Sequence, residues 1–231
     1  MAGLVLKSDI ITKYSKTWVK MFEVRLERVR QISRTTRTFE FVRTDKQSLN
    51  YKPGQFFRFE FEDEHGAFER SYSLCNYEDL YGSTLDLVIS EVDGGRATRF
   101  LFAENLENLK AKVTGPFGRL ILPEEVPGRL IMVATSVGLA PFMPMLKTLE
   151  SLHYEKVILL LGVRDCSEFI YSRALLSMAE RCPWFELRLC LSREQATQVY
   201  EFDGYVNQQL TELWPDSELD HILLCGNPRM I

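Results

Sequence analysis

The hydrophobic pattern of this chain changes its period near residue 124, and that change constrains the fold more than any other feature. Before it, polar and apolar residues alternate: in residues 55 to 63, Phe57, Phe59 and Phe61 point one way and charged residues the other. Such alternation is typical of half-buried β-strands. After it, runs such as RLIMVAT and KVILLLGV are continuously apolar, as in strands buried on both faces. The two halves therefore predict two different domains.

The first half predicts a small antiparallel β-barrel. Four further runs have strand character, and they cover residues 36–44, 70–76, 84–92 and 111–118. Turn signals such as Lys52-Pro53-Gly54 separate them, and many short strands at this spacing suggest a closed or nearly closed barrel. After Gly94-Gly95, the run ATRFLFAENL predicts a short helix that interrupts the barrel.

The second half predicts a doubly wound α/β domain, because continuous apolar strands alternate there with helical segments. Its sheet is expected to be parallel and covered by helices. We therefore divide the chain into an N-terminal extension over residues 1–21, a barrel domain over 22–124 and an α/β domain over 125–231.

Composition argues against several classes of function. A net charge of -4 gives no overall attraction to nucleic acid. The five cysteines include no CxxC pair, so we expect neither a disulfide framework nor a metal site, and a reducing cytoplasm is the expected location. Residues 130–146 are uncharged, but Thr135, Ser136, Gly138 and two prolines interrupt them. They predict a buried strand followed by a helix, and no membrane span.

Three strand ends in the α/β domain have residues suited to ligands, which bind beyond the carboxyl ends of strands in such sheets. These segments are ATSVGLAPF, SREQ and CGNP. In the first, Gly138 permits a tight turn, and Pro141 suits the start of a helix whose free N–H groups can bind a phosphate. An ordinary turn between strand and helix explains the same residues equally well.

The barrel half has a second candidate site. Arg70 and Tyr72 share one face of a predicted strand, so an arginine could bind a phosphate while a tyrosine ring covers a planar cofactor. Gly94-Gly95 permits close approach of a ligand, and Thr98 could cap the following helix beside an anion. A cross-strand aromatic residue and an ordinary turn are the structural alternatives.

Eight segments in order resemble the ferredoxin–NADP reductase family, in which a flavin-binding barrel precedes a nicotinamide-nucleotide domain. They are YKPGQF, RSYSLCN, VDGGRAT, GPFGRLIL, ATSVGLAPF, LGVRDCSEFIY, LSREQ and LCGNPRM, and the likeness covers about residues 22 to 231. The resemblance implies FAD and NADP(H) as cofactors. It also implies electron transfer between NADP(H) and a separate one-electron carrier such as ferredoxin or flavodoxin.

The resemblance also assigns roles to individual residues. It places Ser73 near the flavin N5 and Cys225 where the nicotinamide meets the flavin, as the two residues at the reacting rings. It assigns FAD binding to Arg70, Ser71, Tyr72, Ser73, Gly94, Gly95 and Thr98. It assigns nucleotide binding to Thr135, Gly138, Pro141, Arg164, Ser192, Arg193, Tyr200 and Gly226. Ser192 and Arg193 resemble the pair that binds the 2′-phosphate of NADP, and Tyr200 would stack on the adenine.

The chain departs from the family pattern at three points. Ser136 and Val137 stand where the family usually has Gly-Thr, and Tyr200 follows SREQ more closely than in plant-type members. The sequence stops at Ile231, whereas relatives continue with a further helix and strand, so the nucleotide domain is expected to be shortened. Two other functions stay open: an NAD(P)H:flavin reductase or oxygenase reductase component, and a non-catalytic redox sensor that binds flavin or nucleotide.

A basic segment predicts where an electron carrier docks. Residues 20 to 46 contain eight basic and four acidic side chains, although the whole chain is acidic. Arg28 and Arg30 can share the solvent face of a strand and attract a small acidic carrier. A solvated strand face with no partner is the alternative.

Overall fold

The structure is a computed structural model that describes residues 20–124, 128–152 and 154–227. Nearly all of the predicted N-terminal extension therefore lies outside the described residues. Residues 125–127, next to the predicted domain boundary, and residues 228–231, in the last motif, also lie outside them.

Six antiparallel strands form the first sheet, in the order β4-β3-β6-β1-β2-β5. They are β1 (Lys20–Ser33), β2 (Thr36–Arg43), β3 (Phe56–Asp63), β4 (Gly66–Ser73), β5 (Thr84–Ser90) and β6 (Lys110–Phe117). The sheet curls around a core in which Phe57, Phe59 and Phe61 are at most 2% exposed. The alternating apolar residues of β3 thus form the inner face of a half-barrel, which confirms the predicted fold of this domain.

Asn76 ties the two edges of this sheet together. Its side-chain amide donates to the carbonyl of Thr84 at 2.7 Å and accepts from the backbone N–H of Asp86 at 3.1 Å. Next to it, the N–H of Cys75 donates to the carbonyl of Asp86 at 2.9 Å. The segment after β4 therefore closes against β5 through a buried side chain in place of a regular strand ladder.

The interrupting helix α1 (Arg96–Leu101) is shorter than its sequence run suggests. Arg96 fixes it to the β3–β4 turn, because its guanidinium donates to both carboxylate oxygens of Asp63 at 2.6 and 2.9 Å and to the carbonyl of Gly66. The start of α1 is thereby held beside β4.

Five parallel strands form the second sheet, in the order β10-β9-β8-β7-β11. The strands are β7 (Arg129–Thr135), β8 (Val157–Val163), β9 (Phe185–Leu191), β10 (Glu201–Asp203) and β11 (Asp220–Cys225). The helices are α2 (Phe142–Leu149), α3 (Ser172–Arg181) and α4 (Val206–Glu212). Because β7 lies between β8 and β11, the strand order reverses at its carboxyl end, which is where ligands bind in such sheets. The described helices include none long and apolar enough to cross a membrane.

Residues of both domains share one apolar core. Cys75 and Val88 of the first domain belong to the same buried cluster as the residues of α2 and β7. Tyr171, just before α3, donates its hydroxyl to the sulfur of Cys75 at 3.1 Å. Gly54 lies so close to α2 that an added Cβ would stand 2.1 Å from Cε of Met145. The two domains are therefore packed directly against each other.

Candidate functional site

A cleft of about 880 Å³ opens where β7, β8, β9 and β11 end. Six residues predicted to bind the nucleotide or to contact its reacting ring line it together: Thr135, Gly138, Arg164, Ser192, Cys225 and Gly226. The cleft thus lies at the reversal of strand order, the position that the α/β fold favours for a ligand.

Gly138 is required by the close approach of two strand ends. A Cβ at this position would lie 2.3 Å from the carbonyl oxygen of Cys225 and 2.7 Å from Cα of Gly226. The N–H of Asn227 donates to the hydroxyl of Thr135 at 2.9 Å, which joins the same two ends. The turn after β7 and the end of β11 therefore form one continuous wall of the cleft.

Three residues predicted for nucleotide binding lie outside the cleft lining. Pro141 is buried and stands at the start of α2, where its fixed φ suits a helix, and Tyr200 packs against the apolar core that the two domains share. Arg193 is exposed, and its backbone N–H donates to the carbonyl of Arg164 at 2.8 Å. The aromatic residue that lines the cleft is Tyr205, which is 65% exposed.

The signal in the sequence that could identify Tyr205 is the glycine that precedes it. Gly204 has φ of 94°, a left-handed conformation in which glycine is favoured, and this turn brings Tyr205 to the cleft. Glu168, which also lines the cleft and ion-pairs with Arg164, was not predicted either.

Cys225 lies where the cleft meets the apolar core. Its side chain is partly buried, and this burial raises the pKa of the thiol above its ordinary value. A raised pKa favours the protonated thiol, which packs as a small apolar side chain in the wall of the cleft. Within the described ranges, no group of three or more His, Cys, Asp or Glu side chains is arranged to hold a metal ion.

β4 presents the predicted flavin-binding residues on both of its faces. Arg70 and Tyr72 stand opposite Phe59 and Phe57 of β3, so they share a face, as predicted. Tyr72 packs edge-on against Phe59 with ring centroids 5.8 Å apart, and burial raises the pKa of its hydroxyl to about 12.

The arginine in the middle of this strand is open to solvent. The Arg70 guanidinium is exposed and donates to the carbonyl of its neighbour Glu69 at 2.7 Å. Ser71 is exposed, and Ser73 is partly buried at the end of the strand, just before the contact between the domains. β4 thus leads from an exposed cation to the domain interface.

Thr98 does not cap α1, so that prediction is wrong. Gly95 is the residue before the helix, and the Thr98 hydroxyl instead donates to the carbonyl of Val92 at 2.9 Å. A Cβ on Gly95 would stand 2.7 Å from this hydroxyl, whereas Gly94 adopts φ of 70° with open space around it. The Thr98 hydroxyl therefore holds the loop from its inner side, and the Gly94 backbone is open to the approach of a ligand.

These residues fit the diphosphate and ring of FAD. An exposed arginine, a loop with open space at Gly94 and a half-buried tyrosine lie on adjoining elements, because Arg96 fixes α1 to the β3–β4 turn. Such a set offers charge-assisted hydrogen bonds to a phosphate and an apolar surface to an aromatic ring.

Comparisons with known proteins agree with this geometry. Residues 23–121 match the oxidoreductase FAD-binding domain, and residues 132–231 match the oxidoreductase NAD-binding domain. A ferredoxin–NADP reductase from Azotobacter vinelandii is 27% identical over 91% of this chain and 87% of its own length. A ferredoxin NADP⁺ reductase structure from Neisseria gonorrhoeae with bound FAD and NADP superposes with a TM-score of 0.76 at 25% identity, covering 92% of this chain and 87% of that one.

Another relative belongs to an oxygenase system. The toluate 1,2-dioxygenase electron transfer component of Pseudomonas putida is 24% identical over 98% of this chain, which spans 66% of that protein. Matched domains cover both halves of the chain in the order of the two sheets, and the likeness to solved reductases extends across them. The chain therefore belongs to the ferredoxin–NADP reductase-like family of FAD- and NAD(P)-binding oxidoreductases.

Proposed function

We propose that this chain is an FAD-dependent reductase that transfers electrons between NADP(H) and a separate one-electron carrier such as ferredoxin or flavodoxin. The continuity of the two sites supports this proposal. β4 bears Arg70, Tyr72 and Ser73 and runs directly into the interface, where Cys75 accepts a hydrogen bond from Tyr171 of the nucleotide domain. A flavin ring at the end of β4 would thus lie beside the domain that contains the cleft.

FAD, when bound, supplies the chemistry of accepting electrons as a hydride pair and releasing them singly. The protein's part is to hold two rings together and to exclude water. Tyr72 would support the flavin ring, and Ser73 would offer a hydroxyl at its edge. The turn from Thr135 to Gly138 would hold the nucleotide diphosphate, and Cys225 would form a dry wall beside the nicotinamide.

The assignment of NADPH rests on the basic and hydroxyl groups near the ends of β8 and β9. Arg164 and Ser192 line the cleft, and Arg193 lies next to Ser192. A guanidinium and a hydroxyl are suitable partners for the 2′-phosphate that distinguishes NADPH from NADH.

A stopped-flow experiment tests the proposal. The purified protein should be yellow or take up FAD on titration, and its flavin absorbance should bleach on mixing with NADPH. The NADH reaction, run in parallel, measures the nucleotide preference. A protein that binds no FAD, or whose flavin neither nucleotide bleaches, would contradict the proposal.

The toluate 1,2-dioxygenase component favours a second candidate, the reductase component of an oxygenase. These reductase components of oxygenases are longer than this chain. The chain spans 66% of the toluate 1,2-dioxygenase component and 59% of a glycine betaine monooxygenase reductase subunit. Reduction of a ferredoxin or flavodoxin at a rate that supports turnover favours the first candidate. Release of reduced flavin as a product would instead indicate a flavin reductase, and FAD binding without turnover a redox sensor.

A further inference from the structure

A buried carboxylate lies in the wall of the nucleotide cleft. Glu168 is 8% exposed and ends the short 3₁₀ turn Cys166–Glu168 that follows β8. One of its oxygens, Oε2, lies 3.3 Å from Nε of Arg164. The other, Oε1, is buried and has no hydrogen-bond partner among the described residues.

Only one oxygen of this carboxylate has an ion-pair partner among the described residues, so its negative charge is only partly compensated. A buried carboxylate oxygen normally accepts hydrogen bonds, and one without a partner keeps its desolvation cost and its negative field. The Arg164 guanidinium is the ion-pair partner of Glu168, and about half of that arginine side chain is exposed at the cleft. The negative field of Glu168 therefore acts on the same corner of the cleft that Arg164 makes positive.

We propose that Glu168 is a specificity-determining residue that weakens binding of a 2′-phosphate relative to a free 2′-hydroxyl on the adenosine ribose. This inference rests on the proposed function, since it assumes that the adenosine end of the nucleotide lies between Arg164 and Ser192. A dianionic phosphate must compete with the Glu168 carboxylate for the Arg164 guanidinium, and it is repelled by the carboxylate. A neutral hydroxyl meets neither cost.

The location of the corner supports this assignment. The cleft extends from Gly138 and Cys225, at the ends of β7 and β11, to Arg164 and Ser192 near the ends of β8 and β9. The 3₁₀ turn that contains Gly138 contacts β5 of the flavin domain. A nicotinamide ring directed at the flavin therefore belongs at that end, and the adenosine at the Arg164 end. In α/β nucleotide sites a carboxylate there favours the hydroxyl, and an arginine the phosphate.

Glu168→Gln tests the inference, because it removes the charge while keeping the size of the side chain. The probes are 5′-AMP and adenosine 2′,5′-bisphosphate, which differ only in the 2′-phosphate and need no flavin chemistry to be measured. Calorimetric titration of the FAD-loaded protein should show bisphosphate affinity rising about tenfold in the variant, with AMP affinity within about twofold of wild type. Glu180→Gln, on the exposed end of α3 and outside the cleft, is the matched control and should leave both affinities unchanged.

A second variant keeps the inference testable if Glu168→Gln folds poorly. Arg164→Gln leaves the Glu168 carboxylate without its partner, so bisphosphate binding should weaken by about tenfold or more while AMP binding changes little. A variant that changes both affinities by the same factor, or neither, would overturn the inference. Failure of the proposed function has a different signature, because the wild-type flavin would then not bleach with NADPH or NADH whatever the two probes do.

Discussion

Ser136 stands in the left-handed region of backbone conformation, with φ of 50°. The family usually has glycine there, and the structure gives the reason: the chain must turn sharply between β7 and the 3₁₀ turn Ser136–Leu139. A residue with a Cβ is disfavoured in this conformation by roughly 1–2 kcal/mol, and glycine is not.

Ser136→Gly should therefore raise the free energy of unfolding, by about 1 kcal/mol after the greater freedom of glycine in the unfolded chain is subtracted. Denaturant unfolding of the FAD-loaded protein measures this free energy. Gly138→Ala, two residues later, should lower the free energy of unfolding and abolish nucleotide binding, because its Cβ would meet the Cys225 carbonyl. Equal stability of Ser136→Gly and wild type would mean that the turn tolerates serine without strain.

Arg70 is the residue on which FAD affinity should depend most. Its guanidinium is exposed and, within the described part of the chain, its one side-chain hydrogen bond goes to the carbonyl of the neighbouring Glu69, so Arg70→Ala should remove a charge-assisted phosphate contact worth roughly 1.5–3 kcal/mol. We expect FAD to bind about ten- to a hundredfold more weakly in a fluorescence titration. Arg25→Ala, which removes an exposed arginine of β1, is the control and should bind FAD as wild type does.

Residue positions could be predicted from the sequence where a backbone requirement fixes them. Gly138 could be placed at the strand end because only glycine fits there. The sequence could not show whether Tyr200 or Tyr205 lines the cleft, because the two tyrosines are five residues apart and differ only in how the turn at Gly204 directs them. It could not place Glu168 either. Whether Glu168 pairs with Arg164 depends on a 3₁₀ turn that has no clear sequence signal.

At the scale of elements, the pairing of β2 with β5 brings two carboxylates together. Glu40 stands directly opposite Asp86, and burial, followed by the charge of Glu40, raises the pKa of Asp86 from 3.8 to about 6. Between these two pKa values the folded protein holds a proton that the unfolded chain has released. Stability should therefore fall as pH rises from about 4 to about 6.

Asp86→Asn should remove most of this fall and stabilise the protein above pH 6 by about 1–3 kcal/mol. The check is denaturant unfolding of both proteins from pH 4 to pH 8. Glu69→Gln, at an exposed carboxylate of β4, should leave the slope of stability against pH as it is in wild type. Parallel curves for Asp86→Asn and wild type would exclude Asp86 as the titrating group.

Strands could be predicted from the sequence wherever the hydrophobic pattern has a regular period. β3 lies within one residue of its predicted run, and the continuously apolar β7 and β8 are central strands of the parallel sheet. β1 was not recognised as a single long strand, because charged residues and a register shift between Leu26 and Arg28 disturb its alternation. β10 has three residues, too few to show a period, and it exists only because β9 provides a pairing edge.

For the molecule as a whole, the basic face of β1 is where we expect a carrier to dock. Arg28 and Arg30 pair with alternate residues of β2, so they share a face, and both are exposed. Arg28 lies 3.9 Å from Glu40, a contact too loose and too exposed to hold the guanidinium firmly.

Reversing both charges, Arg28→Glu with Arg30→Glu, should lower the rate of ferredoxin or flavodoxin reduction about tenfold at low ionic strength, with the difference fading as salt increases. Flavin reduction by NADPH should not change. Arg173→Glu, on the exposed side of α3, is the matched charge reversal on the other domain. A carrier rate indifferent to salt and to the double reversal would assign docking to another face.

The shared core between the domains has a thermodynamic consequence. Since Cys75 and Val88 are buried among side chains of the α/β domain, neither domain can melt without exposing apolar surface of the other. Calorimetry should show one heat-absorption peak, and added FAD should move the whole peak upward by mass action. Two peaks of which only one responds to FAD would contradict this coupling. If the two domains melt together, flavin occupancy also sets how long the nucleotide cleft survives heat and proteases. A cell short of flavin would therefore lose both halves of the reductase together.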